Sequence, residues 1–239
     1  MSGGRPMLEV DGINARYGDS QVLWDVSLSV GDGEVVGLLG RNGAGKTTTL
    51  SAIAGVQPPS TGTVTFDGKD ITGQSVSAIS RQGIKLVPED RRPFDGLTVR
   101  ENLELSTDTT NGEDWDVPRA LGEFTQLDER ANQRAGDLSG GEQQMLVIAM
   151  ALVGNPRLVL LDEPMEGLAP QIVDQIVDIV RRVREANIPV LLVEQNVDVC
   201  LELIDRGYLL HKGEIRMSGS AAELADATEE IDRYLGIRV

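Results

Sequence analysis

The residues most able to do chemistry lie in one eight-residue stretch, Gly40-Arg41-Asn42-Gly43-Ala44-Gly45-Lys46-Thr47. An apolar run, Val35 to Leu39, precedes it, and Thr48 to Ala54 follows with helix-compatible residues. Strand, glycine-rich loop and helix in that order are the context in which G-x-x-x-x-G-K-[ST] becomes a phosphate-binding loop and not a glycine-rich turn with a solvated lysine. The glycines let the backbone curl so that its N–H groups converge on phosphate oxygens. The start of the helix adds partial positive charge beneath the same anion. Lys46 would reach the β- and γ-phosphates, and the Thr47 hydroxyl would ligate Mg²⁺. Gly40, Asn42, Gly43, Ala44, Gly45, Lys46, Thr47 and Thr48 are thus candidate contacts to a nucleoside triphosphate.

Two further stretches matter beside it. Leu158-Val159-Leu160-Leu161 runs into Asp162-Glu163, an apolar strand whose carboxyl end delivers two acids to the crevice where ligands bind in parallel sheets. Asp162 is placed to hold Mg²⁺, and Glu163 to orient and deprotonate an attacking water. In isolation the pair would read as a strand ending in solvated acids; behind a phosphate loop it reads as chemistry. Leu138-Ser139-Gly140-Gly141-Glu142-Gln143-Gln144 leads into an apolar helical run, Met145 to Leu152. This is a second helix N-terminus suited to an anion, or simply a capped helix. Tyr17, ahead of the phosphate loop, offers either a stacking face for an adenine ring or a packed strand end.

The elements that must position these groups follow from pattern. Leu8–Ala15 alternates and reads as a half-buried strand; Val22–Val30 is a second. Thr63–Phe66 enters a turn at Asp67-Gly68, Ser75–Gln82 reads as a helix, and Ile84–Val87 is a strand stopped by Pro88. From Glu89 to Val153 the pattern turns helical. Thr98 and Glu101 have capping-box spacing, residues 106–116 read as an exposed loop or short insertion, and Ala120–Leu127 reads as a helix. Gln171–Asn187 repeats apolar residues at helical spacing, and Pro189–Val193 is another buried strand. Tyr208–Ile215 reads as a hairpin turning at Lys212-Gly213, and Ser220 with Glu223 opens a helical tail.

The 239 residues suffice for one large domain or two small ones. A formal charge of −16 disfavours a nucleic-acid partner. Basic residues are four lysines (Lys46, Lys69, Lys85, Lys212) and eighteen arginines, a carboxylate-heavy, lysine-poor balance that fits a salt-rich cytoplasm. Cys200 is alone, so no internal disulfide forms, and a single histidine, His211, leaves little for a His-based zinc site or a Ser-His-Asp triad. No secretory leader pattern and no apolar run near 18 residues is present, so a soluble, cytosolic protein is expected, with any membrane role supplied by a partner.

Together and in this order, these motifs resemble the nucleotide-binding subunit of ABC transporters, over nearly the whole chain. Val87-Pro88-Glu89-Asp90-Arg91-Arg92, Gly167-Leu168-Ala169-Pro170 and Val193-Glu194-Gln195-Asn196 resemble, more narrowly, the LivF-type ATPases of branched-chain amino-acid importers; urea and short-amide importers share much of the pattern. The resemblance implies an α/β fold: a P-loop NTPase (RecA-like) core with an antiparallel β subdomain, residues 7–88 and 156–219, an inserted helical subdomain, 89–155, and a helical tail, 220–239. It implies ATP and Mg²⁺, and two ATPase subunits, alike or different, paired head to tail. Each ATP would then lie between Lys46 of one chain and Ser139, Gly140, Gly141 and Glu142 of the other. Tyr17 matches the adenine-stacking aromatic, Asp162 the Mg²⁺ carboxylate and Glu163 the catalytic base. Permease subunits at the cytoplasmic face of the membrane and, indirectly, an extracytoplasmic substrate-binding protein are the implied partners. Two positions depart from the wider family. Glu89 stands where glutamine usually contacts Mg²⁺, and Gln195 stands where a switch histidine usually meets the γ-phosphate. Glutamine can donate a hydrogen bond there but cannot carry positive charge. Non-transport ABC proteins favour basic surfaces, and a P-loop kinase or GTPase would leave the Leu138–Gln144 segment without a role.

Overall fold

Residues 5–90, 93–112 and 114–236 are described in the computed structural model; Arg91 and Arg92 of the motif above lie outside them. Two sheets and a helical segment share the chain. The first sheet is antiparallel, in the order β2 (Ser20–Val30), β1 (Leu8–Tyr17), β4 (Thr61–Phe66), β5 (Lys69–Asp70). The second runs β10 (Glu214–Ser220), β9 (Arg206–His211), β3 (Val35–Leu39), β8 (Val190–Glu194), β7 (Leu158–Asp162), β6 (Ile84–Val87). Its strands β9 to β6 are parallel, and β10 pairs antiparallel at the edge.

Every residue of β3, β7 and β8 is buried. The reason is two-sided packing. Val35 and Leu39, Val159 and Leu161, Val190 and Leu192 face one core, built with the helices. Val36 and Leu38, Leu158 and Leu160, Leu191 and Val193 face the other, shared with the antiparallel sheet and α1 (Lys46–Ile53). A strand covered on both faces has no polar alternation to show, which is why these runs are continuously apolar.

Around this sheet lie α2 (Val76–Arg81), α3 (Val99–Ser106), α4 (Val117–Glu123), α5 (Thr125–Asp128), α6 (Gly140–Val153), α7 (Pro170–Glu185), α8 (Val197–Leu201), α9 (Ala221–Asp226) and α10 (Thr228–Leu235). The capping boxes at Thr98/Glu101 and Ser220/Glu223 form as the sequence predicts. Helix α7 turns Ile176, Val177, Ile179, Val180 and Val183 inward, and its first helical residue is Pro170, where the missing N–H costs nothing.

Two expectations need correction, and one helix was not expected. The helix expected over Ala120–Leu127 starts earlier and is broken: Asp116 caps α4 by accepting from the Arg119 N–H at 2.7 Å, and Phe124, at φ −110° and ψ 68°, separates α4 from α5 while its ring is buried. Residues 106–116 are not simply an exposed loop. Trp115 is buried, its N–H donating to Asn155 Oδ1 at 2.8 Å, and Asp108 pairs with Lys85 at 3.2 Å. Finally, Asn196 caps a short helix, α8, that sequence pattern did not indicate.

Candidate nucleotide-binding site

The parallel strands bring their carboxyl ends together, so the loops after β3, β6, β7 and β8 meet at one edge. That edge is where ligands sit in open α/β sheets. The loop after β3 is held from outside. Gly213 in the β9–β10 turn donates its N–H to the Ala44 carbonyl at 2.8 Å, and a Cβ on Gly40 would lie 2.6 Å from the Leu210 carbonyl oxygen. Glycine is therefore required at position 40 by close backbone approach. At Gly45, φ is +111° as the chain turns into α1, a conformation side-chain-bearing residues rarely adopt.

Lys46 is the first residue of α1 and is 3% exposed. Its Nζ donates to the carbonyls of Gly40 at 2.7 Å and Arg41 at 3.1 Å, and lies 2.9 Å from Glu163 Oε1. The neighbouring hydroxyl, Thr47 Oγ1, donates to Asp162 Oδ1 at 3.3 Å. Asn42, Gly43, Gly45, Lys46, Thr47 and Thr48, with Val22, Glu89 and Glu163, line a cleft of about 300 Å³. Of the sequence candidates, six residues of the loop and helix start, Glu163 and Glu89 thus line one opening, and Asp162 is bonded to one of them, Thr47.

The carboxylates there are out of their ordinary range. Burial raises the Asp162 pKa, outweighing the Thr47 hydrogen bond. Glu163 is pushed up to about 7, first by burial and then by hydrogen bonding to the Glu166 carboxyl, with Lys46 opposing. Glu163 also sits at φ +46°, in the left-handed region. Its N–H bonds the Val193 carbonyl at 3.0 Å, tying the turn to β8. A carboxylate near neutrality, within reach of a buried ammonium, suits a group that must accept a proton from water. A hydroxyl and a carboxylate 3.3 Å apart, with Glu89 lining the same cleft, form an all-oxygen donor set appropriate to a hard divalent cation.

Other candidates lie elsewhere. Gln195 and Asn196 line a second, broader cavity of about 980 Å³, together with Glu163, Glu166, Leu168, Glu194 and Asp232. Glu163 belongs to both cavities. Tyr17 closes β1, paired with Ser20 and 51% exposed. Ser139 and Gly140 are exposed at the start of α6, with Gly141 buried behind them. Among the described residues, neither Tyr17 nor Ser139, Gly140, Gly141 or Glu142 lines either cavity. Within one chain the anion-ready end of α6 faces no part of the Lys46 cleft.

Sequence reasoning passed over three groups here. Val22 lines the cleft from β2, and nothing in its strand pattern marks it. Glu166 bonds the Glu163 carboxyl and accepts from Asn42 Nδ2 at 3.5 Å; an acid three residues after Glu163 was the available signal. Glu194 is buried and pushed up to about 7 by burial, its Oε1 accepting from the Met165 N–H at 3.2 Å.

Residues 23–166 match the family model described as ABC transporter. The chain belongs to the ABC transporter family. It is 44% identical over 232 residues to the high-affinity branched-chain amino acid transport ATP-binding protein BraG of Pseudomonas aeruginosa, covering 96% of this chain and all of that one. It is 35% identical to the probable branched-chain amino acid transport ATP-binding protein LivF of Archaeoglobus fulgidus, covering 92% and 94% of the two chains. Among solved structures, the ADP conformation of MJ1267, an ATP-binding cassette of an ABC transporter, superposes with a TM-score of 0.83 at 27% identity, covering 97% of this chain and 98% of that one. The fold is accordingly that of the ABC cassette, a P-loop NTPase, and the chain is an ATP-hydrolysing, nucleotide-binding subunit of a membrane transporter. Among the described residues no helix is long and apolar enough to cross a membrane.

Proposed function

We propose that this cassette powers uptake of branched-chain amino acids through a partner permease, from the cytoplasmic face of the membrane. The observation that carries the chemistry is the placing of Lys46, Thr47, Asp162 and Glu163 around one cleft. The 44% identity along all of BraG supports the cargo.

In this reading the loop N–H groups and Lys46 grip the β- and γ-phosphates, and Tyr17 stacks on the adenine. Thr47, Asp162 and Glu89 would hold Mg²⁺, which when bound neutralises phosphate charge. Glu163 accepts the proton of the attacking water, and Gln195 donates a hydrogen bond near the γ-phosphate. Ser139, Gly140, Gly141 and Glu142 complete the site of a second cassette, which accounts for a helix N-terminus that, among the described residues, does not line the Lys46 cleft of its own chain. Residues 89–155 form the subdomain that carries it, inserted into a core of 7–88 and 156–219, with 220–239 as a tail. Pairing on ATP and separating after hydrolysis would move the permease, a gating role and not chemistry on the cargo.

The test has two arms. Glu163→Gln in the full chain should permit ATP-driven pairing in sedimentation while abolishing phosphate release; retained turnover would remove Glu163 from the role of base. Deletion of this chain should abolish leucine uptake by the source cells and spare urea uptake. The reverse pattern would transfer the cargo assignment to the amide importers.

A further inference from the structure

The hydroxyl of Ser139 is already committed. It donates to Glu142 Oε2 at 2.7 Å and accepts from the Glu142 N–H at 3.3 Å, while the Ser139 N–H donates to that same Oε2 at 2.8 Å. The other carboxylate oxygen, Oε1, is taken by Arg130 Nε at 2.8 Å. Arg130 follows α5 and is half-exposed; its guanidinium also reaches the Gln126 carbonyl and the exposed Glu129 carboxylate, each at 3.5 Å. Burial would raise the Glu142 pKa, and the Ser139 hydrogen bonds together with the Arg130 charge outweigh it, so the group stays ionised.

This arrangement poses a problem for any phosphate arriving at α6. The N–H groups of a helix start attract an anion, but a carboxylate at its third residue repels one. A serine proton directed at that carboxylate is also turned away from the incoming oxygen. A side-chain amide at position 142 would raise neither difficulty.

We propose that Arg130 is a positioning residue for the hydrolytic reaction. Bound to Oε1, it compensates the Glu142 charge and keeps the helix cap anchored through the Ser139 N–H. The Ser139 hydroxyl is then free to rotate from Oε2 to a phosphate oxygen of the nucleotide held by the second cassette. This rests on the reading that Ser139–Gly141 completes a site on another chain. Arg130 touches neither nucleotide nor water; it acts through Glu142.

The experiment is a mutant cycle on the full-length chain, reading Mg-ATP hydrolysis (kcat and KM) beside the affinity of the Lys46 cleft for a fluorescent ADP. Arg130→Ala should lower kcat about tenfold, the scale of one charge-assisted hydrogen bond. ADP affinity should stay within about twofold, because that cleft is built from other elements. Arg130→Gln, which keeps the packing of the stem, should behave like Arg130→Ala. In a Glu142→Gln background, with no charge left to compensate, Arg130→Ala should cost less than about twofold. An equal cost in both backgrounds would make Arg130 merely structural and overturn the proposal, as would a wild-type rate for Arg130→Ala. A wild-type chain that hydrolyses no ATP would instead overturn the reading beneath it.

Discussion

Lys46 Nζ lies 2.9 Å from Glu163 Oε1, with the two side chains 3% and 6% exposed. The group that grips phosphate and the group that activates water hold each other. A buried pair broken from one side leaves an uncompensated charge, at a cost of about 3–5 kcal/mol. Lys46→Met should therefore destabilise the nucleotide-free chain at pH 8, because it removes the cation that offsets burial of the Glu163 carboxylate. Adding Glu163→Gln should recover part of the loss. Urea unfolding at pH 8 measures both steps; a double variant no more stable than Lys46→Met would show that the pair carries no coupling.

The switch position gives a second prediction. Gln195 is exposed on the wall of the broad cavity that also contains Glu163. A neutral amide donor makes a bond roughly half as strong as a charged imidazolium would to a phosphate oxygen. Gln195→His should raise basal ATP turnover by several-fold, an order-of-magnitude figure set by that difference, and most at acidic pH where imidazole is charged. Equal rates for wild type and variant across pH 6–8 would remove the side chain at this position from rate control.

Much of the architecture was legible because strands covered on both sides leave no choice of residue. Val36 and Leu38 fill one core while Val35 and Leu39 fill the other, so β3 had to be apolar throughout. Residues 106–116 were misread for the opposite reason. Their composition is polar, and the burial of Trp115 depends on Asn155, forty residues away, whose side chain bonds the Trp115 N–H and carbonyl. Phe124 was hidden by helical spacing: the period of Ala120–Leu127 is intact, but burial of one ring overrides local propensity. At the site, the candidates next to recognisable turns could be named in advance. Arg130 could not, since what it does is defined by a carboxylate it meets only in three dimensions.

Glu194 sets a pH dependence whose sign can be worked out. Burial pushes its pKa up to about 7 from an ordinary value of 4.5. Between those values the native state holds a proton that the unfolded chain has released, so stability falls as pH rises through this window. At about 1.4 kcal/mol per pH unit the loss is at most about 3 kcal/mol, complete above pH 7. Glu194→Gln keeps an acceptor for the Met165 N–H and resembles the protonated acid. Its Tm should match wild type near pH 4.5 and exceed it by several degrees at pH 8, an estimate from the usual scaling of Tm with stability. A constant difference across the range would mean that Glu194 does not titrate there.

The acid surplus yields the last prediction, because salt acts on it in two directions. Surface ion pairs such as Arg182–Glu123 and Arg157–Asp67 weaken with salt, but exposed pairs contribute only about 0–1 kcal/mol each. Opposing them is a net charge of −16. Part of it lies where Asp174 and Asp198 join Glu163, Glu166, Glu194 and Asp232 in lining one cavity. Raising KCl from about 0.1 M to about 1 M shortens the Debye length from roughly 10 Å to 3 Å and relieves that repulsion at every separation beyond direct contact. Repulsion across a net surplus of sixteen negative charges should outweigh the loss of a few exposed pairs, so the unfolding midpoint should rise with KCl. The rise should shrink when Asp174 and Asp198, both lining that cavity, are replaced together by asparagine. A midpoint that is flat or falling between low and molar KCl would show that the acidic surface imposes no such strain on the fold.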